Sequence, residues 1–467
     1  MNTSPLHSKE LIEKALNDAG LRAAVKKATG STVDSRKNII DGIPYWEDLR
    51  SKAYSIKKET IEHLDEYLVC FEENCIKNNI KVHWAADSKE AREIILDIAV
   101  KSGASKIVKS KSLTTEEINL NSFLAEKNIE VLETDLGEYI VQLNEQIPSH
   151  LIIPAMHLSR KDIGKLFAEK LGVPYTEEPV ELLKTARKIL REKFLNADIG
   201  ISGANFAFAS SGTFCVVENE ANAHLTISLP RIHIAVMGIE KIIPDIKMLP
   251  YFLKLLPPSA TGQKSSTYVN FIGGPMRSKY GEGPEEVHIV LLDNGRSGII
   301  REPELRETLF CIRCGACLNA CPVYQNIGGH SYGWVYMGPI GAALIPQYLG
   351  AEEGKVSPFL SSLCGACEEV CPVKIQLPSH LLTLRNRIVS SRNTGVFERI
   401  SFRFYSALIS KPRLYRILSR VPVLIQKLFP RGKELPVPGY KKKRQFPQFD
   451  SKGFKKRFKE MENEQQR

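Results

Sequence analysis

The sequence contains no long apolar run, and no stretch approaches the roughly 20 residues that a helix needs to cross a bilayer. Its first residues, MNTSPLHSKELIEKAL, lack the apolar core of a secretory signal. Both absences argue against an integral membrane protein and against export. We therefore expect a cytoplasmic protein that lies, at most, on the inner face of the membrane.

Nucleotide-binding fingerprints are also missing. The chain has neither a Walker A motif nor the Rossmann G-x-G-x-x-G, so neither ATP nor NAD is a predicted ligand. No flavin motif is recognisable, and no grouping of cysteine, histidine and aspartate imposes a covalent mechanism. The sequence alone therefore identifies no catalytic residue.

Net positive charge is confined to the end of the chain. Residues 392–467 hold 20 of the 64 lysines and arginines but 6 of the 53 aspartates and glutamates, so the preceding residues are slightly acidic. This distribution argues against a nucleic-acid partner. The tail mixes basic residues with apolar anchors, as in KPRLYRILSRVPVLIQKLF and YKKKRQF. It either contacts an anionic membrane or an acidic partner, or packs on its own body as a solvated arm.

Periodicity divides the 467 residues into four regions. Residues 1–80 place apolar residues at helical spacing, and residues 81–300 alternate strands with helices as in a parallel α/β sheet. Strands are predicted at VHWAA, KIVKS, IEVLE, HLIIP and DIGIS, and the strand-rich stretch around GTFCVVEN extends or caps the sheet. Residues 301–391 form a helical, ferredoxin-like module, and residues 392–467 form a basic C-terminal extension. The predicted fold class is therefore α/β.

Cysteine is scarce outside one segment, since seven of the ten cysteines lie between residues 311 and 371. The first four have the bacterial ferredoxin spacing C-x2-C-x2-C-x3-C-P and are Cys311, Cys314, Cys317 and Cys321. Three cysteines at this spacing reach three irons of one cubane, and the fourth points toward a second cubane. The run therefore predicts two [4Fe–4S] clusters.

The second cysteine motif is shorter by one ligand. It reads C-x2-C-x3-C-P, and Ser361 stands where the first cysteine of a full run would be. Crossed pairing predicts Cys311, Cys314, Cys317 and Cys371 around cluster 1, and Cys321, Cys364 and Cys367 around cluster 2. With three cysteine ligands, cluster 2 is predicted to have a labile fourth iron or to be a [3Fe–4S] cluster.

A zinc site or a disulfide knot would also explain clustered cysteines. Zinc sites usually present two separated pairs, and disulfides favour oxidising compartments, so both alternatives fit less well. Between the motifs, GGHSYGWVYMGPIGAAL either aims backbone amides at cluster sulfurs or is an inserted packing loop. His330 in this stretch is a further candidate for ligating or hydrogen-bonding a cluster.

Several long segments resemble the lactate utilization protein B family. They are VKSKSLTTEEINLN, ETDLGEYIVQL, PSHLIIPAMHLSR, GTFCVVENEANA, TGQKSSTYVNFIGGP and EEVHIVLLDNGRS, and the resemblance runs from about Ser51 into the tail. It implies a LUD-type α/β domain joined to an interrupted two-cluster ferredoxin. It also implies an iron–sulfur subunit that works beside two partner proteins in oxidising L-lactate to pyruvate. The electron acceptor is unidentified.

Two polar loops of the α/β region are candidate anion sites. The first follows the predicted strand KIV and contains Lys109, Ser110, Lys111 and Ser112. The second is a loop of small residues, Ser210, Ser211, Gly212 and Thr213. Strand ends of α/β sheets gather ligands, and loop amides can bind a carboxylate or phosphate. The alternative for each loop is an ordinary turn without a ligand.

Other polar side chains are expected to be structural. The acidic residues of ETDLGEY, namely Glu133, Asp135 and Glu138, could serve in acid–base chemistry but more often cap helices or face solvent. His150 and His157 flank LIIP and are expected to be buried and hydrogen-bonded. The three cysteines outside the cluster, Cys70, Cys75 and Cys215, are expected to be small buried hydrophobic residues.

Two functional hypotheses remain open. The leading one is an electron-transfer subunit that relays single electrons from lactate oxidation through two clusters. The alternative is that the α/β domain itself binds and oxidises lactate or a related carboxylate, and that the clusters accept the electrons and carry them away. A purely structural or sensory role is disfavoured, because a single cluster would suffice to hold a fold.

Overall fold

The computed structural model describes residue 5 and residues 8–276, 283–391, 396–419, 421 and 453–465. The chain divides into two compact units, residues 1–391 and residues 392–467. Among the described residues, no helix combines the length and apolar character needed to cross a membrane.

Four helices precede the first strand. They are α1 (Ser8–Asn17), α2 (Ala19–Ile40), α3 (Trp46–Glu62) and α4 (Leu64–Lys77). The carboxylate of Asp18 accepts the backbone N–H of Leu21 at 2.8 Å and so caps the start of α2. The helical character predicted for residues 1–80 is confirmed.

Within the described ranges, ten strands form two sheets. They are β1 (Lys81–Ala85), β2 (Lys106–Lys109), β3 (Glu130–Glu133), β4 (Ile199–Ser202), β5 (Phe206–Phe208), β6 (Thr213–Glu218), β7 (Ile232–Gly238), β8 (Ile242–Ile243), β9 (Tyr268–Ile272) and β10 (Glu286–Leu292). The first sheet has the order β1-β10-β7-β4-β2-β3 and all its neighbours are parallel. The predicted α/β class with a parallel sheet is therefore confirmed.

The second sheet is mixed and lies outside the parallel one. Its order is β8-β5-β6-β9, with β6 antiparallel to both neighbours and β5 parallel to β8. The strand predicted at HLIIP is wrong, because this segment consists of bends and turns. The Nδ1 atom of His150 accepts the backbone N–H groups of Ile152 and Ile153, so the chain wraps around the imidazole ring and does not pair with a strand.

The helices of the α/β region connect and cover its strands. They are α5 (Ser88–Lys101), α6 (Leu113–Glu117), α7 (Leu120–Ala125), α8 (Leu136–Leu143), α9 (Arg160–Leu171), α10 (Pro179–Leu195), α11 (Asn222–Ser228), α12 (Leu249–Thr261) and α13 (Arg296–Ile300). The cysteine module adds α14 (Ala316–Asn319), α15 (Tyr324–Ile327), α16 (Gly338–Tyr348), α17 (Gly350–Glu353), α18 (Ala366–Glu369) and α19 (Leu377–Ser390). Its predicted helical character is confirmed.

One hydrophobic core joins the N-terminal helices, the mixed sheet and the cysteine module. It contains Phe71 of α4, Phe214 of β6 and Leu344 of α16, none of which is exposed to solvent. A second core packs α5 against the parallel sheet through residues such as Ile95 and Ile199. Because the largest core crosses the boundaries between regions, the N-terminal helices and the module stabilise each other.

The described part of the second unit is helical. It comprises α20 (Val396–Ile409), α21 (Pro412–Leu418) and α22 (Phe454–Gln465). Aromatic side chains of α20 are exposed, with Phe397 at 85% and Phe404 at 67% of their full accessible area. The basic segment YKKKRQF lies outside the described residues.

Candidate metal centre

The two cysteine motifs adopt the same unusual backbone. Arg313 and Leu363, at matching positions, have positive φ angles of 60° and 56°, and the glycines two residues later, Gly315 and Gly365, have φ angles of 76° and 88°. Each loop then enters a one-turn helix, α14 or α18. Positive φ is uncommon for residues other than glycine, so the shared conformation marks the loops as a structural repeat.

Backbone amides in these loops point at sulfur atoms. The N–H of Arg313 donates to the Sγ of Cys311 at 3.4 Å, and the N–H of Ile375 donates to the Sγ of Cys371 at 3.4 Å. The N–H of Ala366 likewise lowers the pKa of the Cys364 thiol. Such hydrogen bonds stabilise the thiolate, which is the form that ligates iron.

The thiols of the first motif and Cys371 affect one another's pKa. Burial raises the pKa of Cys371 to about 11, and the negative charge of Cys311 adds to this effect. Burial also raises the pKa of Cys314 and Cys317, and repulsion from Cys311 again contributes. We refer to these four thiols as the first group; their assignment to cluster 1 stays a prediction.

The second group repeats this pattern. Burial raises the pKa of Cys367 to about 12, with further contributions from Cys321 and Cys364. Cys364 itself is exposed, so this group reaches the protein surface. Cys317 also experiences the charge of Cys367, which places the two groups next to each other. The assignment of each cysteine to a cluster stays a prediction.

The donor set fits iron–sulfur clusters. Crowded, buried thiols ionise only beside a cation, and the irons of a cluster would supply that positive charge. Within the described ranges, no three cysteine, histidine, aspartate or glutamate side chains converge on the position of a single metal ion. The four thiolates of a cubane instead occupy its separate corners.

Ser361 takes the structural place of the missing cysteine. Its Oγ accepts the backbone N–H of Leu363 at 3.1 Å, the counterpart of the Arg313 N–H that donates to Cys311. The guanidinium of Arg385 donates to the carbonyl oxygen of Ser361 at 2.8 Å and holds this loop in position. The second loop therefore presents a hydroxyl at the position where the first presents a thiol.

A buried ion network connects the module to the α/β region. The guanidinium of Arg296, which has no solvent exposure, donates to both carboxylate oxygens of Glu117 at 2.9 Å and to Glu240 at 2.5 Å. The hydroxyl of Tyr336 in the module also donates to Glu117, at 2.6 Å. Sequence reasoning missed this network, because nothing in the local pattern around Arg296 or Glu117 indicates a partner 179 residues away.

Two lysines, buried Lys57 and partly buried Lys241, lie beside the same network. The ammonium group of Lys57 donates to the backbone carbonyl of Glu240 at 2.5 Å. Burial lowers the pKa of Lys57 to about 7 and that of Lys241 to about 8, because both ammonium groups are withdrawn from water. Cys311 is close enough to both lysines to partly offset this effect.

A cavity of about 470 Å³ lies between the α/β region and the cluster 1 loop. Lys111 and Asp135, which follow β2 and β3, line one side, while Ile312 and Arg313 of the cysteine loop line another. The ammonium of Lys111 donates to the Ile152 carbonyl at 2.7 Å and lies 3.8 Å from Asp135. Ligands of α/β proteins commonly bind at this end of the parallel strands.

Glu220 adds a second carboxyl group to the cavity. Burial and the negative charge of Asp135 raise its pKa. The backbone N–H of Leu136 donates to it at 3.3 Å. Glu218 also lines the cavity, which thus contains the ammonium group of Lys111, the guanidinium of Arg313 and three carboxyl groups, set among mainly apolar walls.

The other predicted anion-site residues point elsewhere. Lys109 is buried and its ammonium contacts Glu133 at 2.7 Å and Glu116 at 2.9 Å, so its charge is already compensated. The turn from Ser210 to Thr213 joins β5 to β6, and Ser210 donates to Asp245 at 2.8 Å. The structure therefore does not bring Lys109, Lys111 and this turn into one cavity.

A close backbone approach explains the small residues of that turn. Gly212 has a φ of 62°, and a Cβ at this position would lie 2.3 Å from the backbone of Asn74 in α4. The side chain of Asn78 donates to the Ser211 carbonyl at 2.7 Å. Packing against α4 therefore explains the small residues of this turn, and no ligand is needed to explain them.

The histidines near LIIP are hydrogen-bonded, as predicted. His150 is fully buried and its Nε2 pairs with Asn319 at 3.1 Å, and His157 contacts Ser149 and Gln146 at 2.7 Å. The Nε2–H of His330 donates to the Ile147 carbonyl at 2.8 Å. These contacts attach the module to the loop after α8.

The remaining candidates also have structural contacts. The carboxylate of Asp135 accepts the N–H of Glu138 at 3.1 Å and caps α8, which confirms its predicted capping role. The thiol of Cys75 donates to the Gly212 carbonyl at 3.3 Å. Cys75 and Cys215 are buried as predicted, whereas Cys70 is only partly buried.

Comparison with known proteins gives two family matches. The LUD domain model matches residues 69–292, which include all ten strands, and the 4Fe-4S dicluster domain model matches residues 307–375, which include both cysteine loops. The chain is 42% identical to "Lactate utilization protein B" of Bacillus thuringiensis (strain Al Hakam) over 453 residues, covering 96% of this chain and 95% of the relative. Proteins of the same name from Bacillus cereus (strain AH187) and Bacillus anthracis (strain A0248) match equally well.

A solved structure also aligns with part of the chain. It is a DUF162 family protein from Deinococcus radiodurans, 12% identical, with a TM-score of 0.28. The alignment covers 49% of this chain and 98% of that protein.

Proposed function

Since the chain belongs to the lactate utilization protein B family, we propose that it is the iron–sulfur electron-transfer subunit of a complex that oxidises L-lactate to pyruvate. Family membership carries a role in lactate utilization and electron transfer, with 4Fe–4S cofactors. The proposal adds that there are two clusters and that they act in series. Cys311, Cys314, Cys317 and Cys371 would hold cluster 1, and Cys321, Cys364 and Cys367 would hold cluster 2.

The observation that carries this proposal is the adjacency of the two thiol groups. Cys317 lies on α14 and Cys367 lies on α18, and these two helices contact each other. When bound, such clusters accept and donate one electron each. Exposure of Cys364 supports contact between cluster 2 and a partner protein, whereas no cluster 1 thiol is exposed, since Cys311 is partly buried and the other three are buried.

The chemistry of lactate explains why partners are required. Oxidation removes two electrons and two protons at one carbon, which needs a hydride acceptor or a base with an electron sink. The chain has no nucleotide-binding fingerprint for such an acceptor. We therefore expect the purified chain to contain iron and acid-labile sulfide and to be reduced by dithionite, but not to oxidise lactate with an artificial dye.

The decisive test adds the partner subunits. Lactate should then reduce the clusters, which is seen as bleaching of their visible absorbance. Robust lactate oxidation by this chain alone would overturn the relay. Failure of the complete complex to reduce the clusters with lactate would also contradict it.

A second candidate function is favoured by the cavity beside the cluster 1 loop. We propose as the alternative that the α/β domain binds lactate or a related carboxylate there. Lys111 would bind the carboxylate, one of Asp135 and Glu220 would accept the proton of the hydroxyl group and the other the proton from the carbon, and the two clusters would take one electron each. Ile312 and Arg313 line the same cavity, so the bound molecule would lie next to cluster 1.

Lactate titration of the chain alone separates the two candidates. If the alternative holds, lactate bleaches the clusters without partners, and K111M abolishes both bleaching and calorimetric binding. K106M is the matched control, because Lys106 is an exposed lysine at the start of the same strand. Absence of both binding and bleaching in the unmodified chain would eliminate the alternative.

A further inference from the structure

The N-terminal helices reach the cysteine module although residues 1–68 lie outside both family matches. Arg36 of α2 donates to the Val370 carbonyl at 3.0 Å. Arg50 of α3 donates through Nε to the carbonyl of Cys371 at 2.9 Å and through Nη2 to that of Glu368 at 3.3 Å. Two guanidinium groups therefore meet the backbone next to a predicted ligand of cluster 1.

Three further basic side chains lie beside the cluster 1 loop. Lys57 of α3 donates to the backbone carbonyl of Glu240 at 2.5 Å, and Lys241 directly follows Glu240, whose carboxylate lies 3.6 Å from Arg313. Arg313 lies within the cysteine loop, with its guanidinium 4.5 Å from the ring centre of Tyr336. We refer to Arg36, Arg50, Lys57, Lys241 and Arg313 as the cationic half-shell. Three of its five members come from residues 1–80.

Several cationic atoms of the half-shell lack a partner. Among the described residues, neither Nη atom of Arg313 nor the Nε atom of Arg36 has a hydrogen-bond partner. The nearest carboxylate to Arg313 is Glu240 at 3.6 Å, which is already bonded to Arg296 at 2.5 Å. Arg50 also pairs with Glu47 at 2.6 Å, so it is the best compensated member.

Burying excess positive charge is costly unless an anion lies beside it. A 4Fe–4S cluster with four thiolate ligands carries net negative charge and would be that anion. Reduction adds one further negative charge, which nearby cations stabilise in a low-dielectric interior. The half-shell should therefore favour the reduced state of cluster 1.

The surroundings of the second thiol group differ. Cys364 is exposed, and Glu368 and Glu369 of α18 directly follow Cys367. One cation is present there, since Arg385 donates to the Ser361 carbonyl. Carboxylates beside a cluster oppose added negative charge, whereas basic side chains beside it favour added negative charge.

We infer that the N-terminal helices supply a cationic half-shell that raises the reduction potential of cluster 1 above that of cluster 2. Electrons entering at the exposed cluster 2 would then collect at cluster 1, beside the cavity. This inference does not depend on lactate or on a partner subunit. It assigns an electrostatic role to α2 and α3.

Potentiometric titration followed by paramagnetic resonance tests the inference on the purified, cluster-loaded chain. R36Q and R50Q should each shift the midpoint potential of cluster 1 downward and leave that of cluster 2 in place. R50K should largely restore the potential, because it keeps the charge while losing the two-carbonyl hydrogen-bond geometry. A merely structural role for Arg50 would predict no such rescue.

R22Q is the matched control. Arg22 also lies on α2 and donates to a module residue, Asn326, at 3.2 Å, but it is not part of the half-shell. It should not change the cluster 1 potential. If R36Q leaves that potential unchanged, or if cluster 1 in the unmodified chain has the lower potential, the inference is wrong. If the R50Q protein does not retain both clusters, the potential measured for R36Q alone decides the test.

Discussion

At the scale of single residues, Ser361 is the position where the two cysteine loops differ chemically. Its hydroxyl occupies the place of a thiol and accepts the equivalent backbone N–H. A serine oxygen is a weaker ligand for iron than a thiolate at neutral pH, because its proton is far harder to remove. One iron of cluster 2 is therefore expected to be held weakly.

We predict that S361C protects cluster 2 from oxidants. Conversion to a [3Fe–4S] form, followed by paramagnetic resonance during ferricyanide treatment, should slow by about tenfold or more, in the range seen when metal ligation is altered. S361A should convert as fast as the unmodified chain or faster. Equal conversion rates in all three proteins would show that the side chain at position 361 does not determine how easily cluster 2 loses iron.

Crossed ligation is a second prediction at this scale. C371A and C311A should lose the same paramagnetic signal, whereas C321A should lose the signal that is lost in C364A. The reason is the mutual electrostatic contact within each group of thiols. Loss of one common signal in C371A and C364A would show that each motif binds its own cluster.

At the scale of elements, the buried network around Arg296 joins α6, α13 and the module. Replacing one partner of a buried ion pair leaves an uncompensated charge. E117Q should lower the free energy of unfolding by roughly 3 kcal/mol, at the low end for such changes because Glu240 still pairs with Arg296. Urea denaturation measures this difference.

The control for this prediction is E126Q, since Glu126 is exposed at the end of α7. Surface changes of this kind usually stay within about 0.5 kcal/mol. A loss in E117Q no larger than in E126Q would mean that the network contributes little to stability.

Helices and strands could be predicted from the sequence where the spacing of apolar residues along the chain determines them. The helices of residues 1–80 follow from apolar spacing, and β2, β4 and β10 follow from short apolar runs. HLIIP has the same apolar character but forms turns, because the ring of His150 accepts two backbone N–H groups that a strand would have needed. Periodicity does not register such a side-chain contact with the backbone.

At the scale of the whole molecule, the basic extension combines many positive charges with exposed apolar side chains. Its described helix α20 exposes aromatic side chains, including Phe397 and Phe404. Basic residues combined with apolar anchors suit an anionic membrane or an acidic partner surface. We propose that this extension attaches the protein to its complex or to the inner face of the membrane.

Deleting residues 441–467 should leave the cluster absorbance intact and weaken both assembly with partner subunits and association with anionic vesicles. Co-purification and vesicle sedimentation measure the two effects separately. Charge-neutral vesicles serve as the control, since the interaction is expected to depend on opposite charge. Unchanged assembly and unchanged sedimentation would defeat the idea.

The sequence by itself determined the cluster chemistry and the parallel α/β class, because ligand spacing and strand periodicity are local properties of the chain. The spacing of the second motif also showed that Ser361 stands where a full cysteine run would have its first cysteine. Only the tertiary structure decided that Lys111 lines a cavity while Lys109 is neutralised in ion pairs, and that Arg50 meets Cys371 across 321 positions. The physical reason is that electrostatic environment depends on distance in space, and distance along the chain does not encode it.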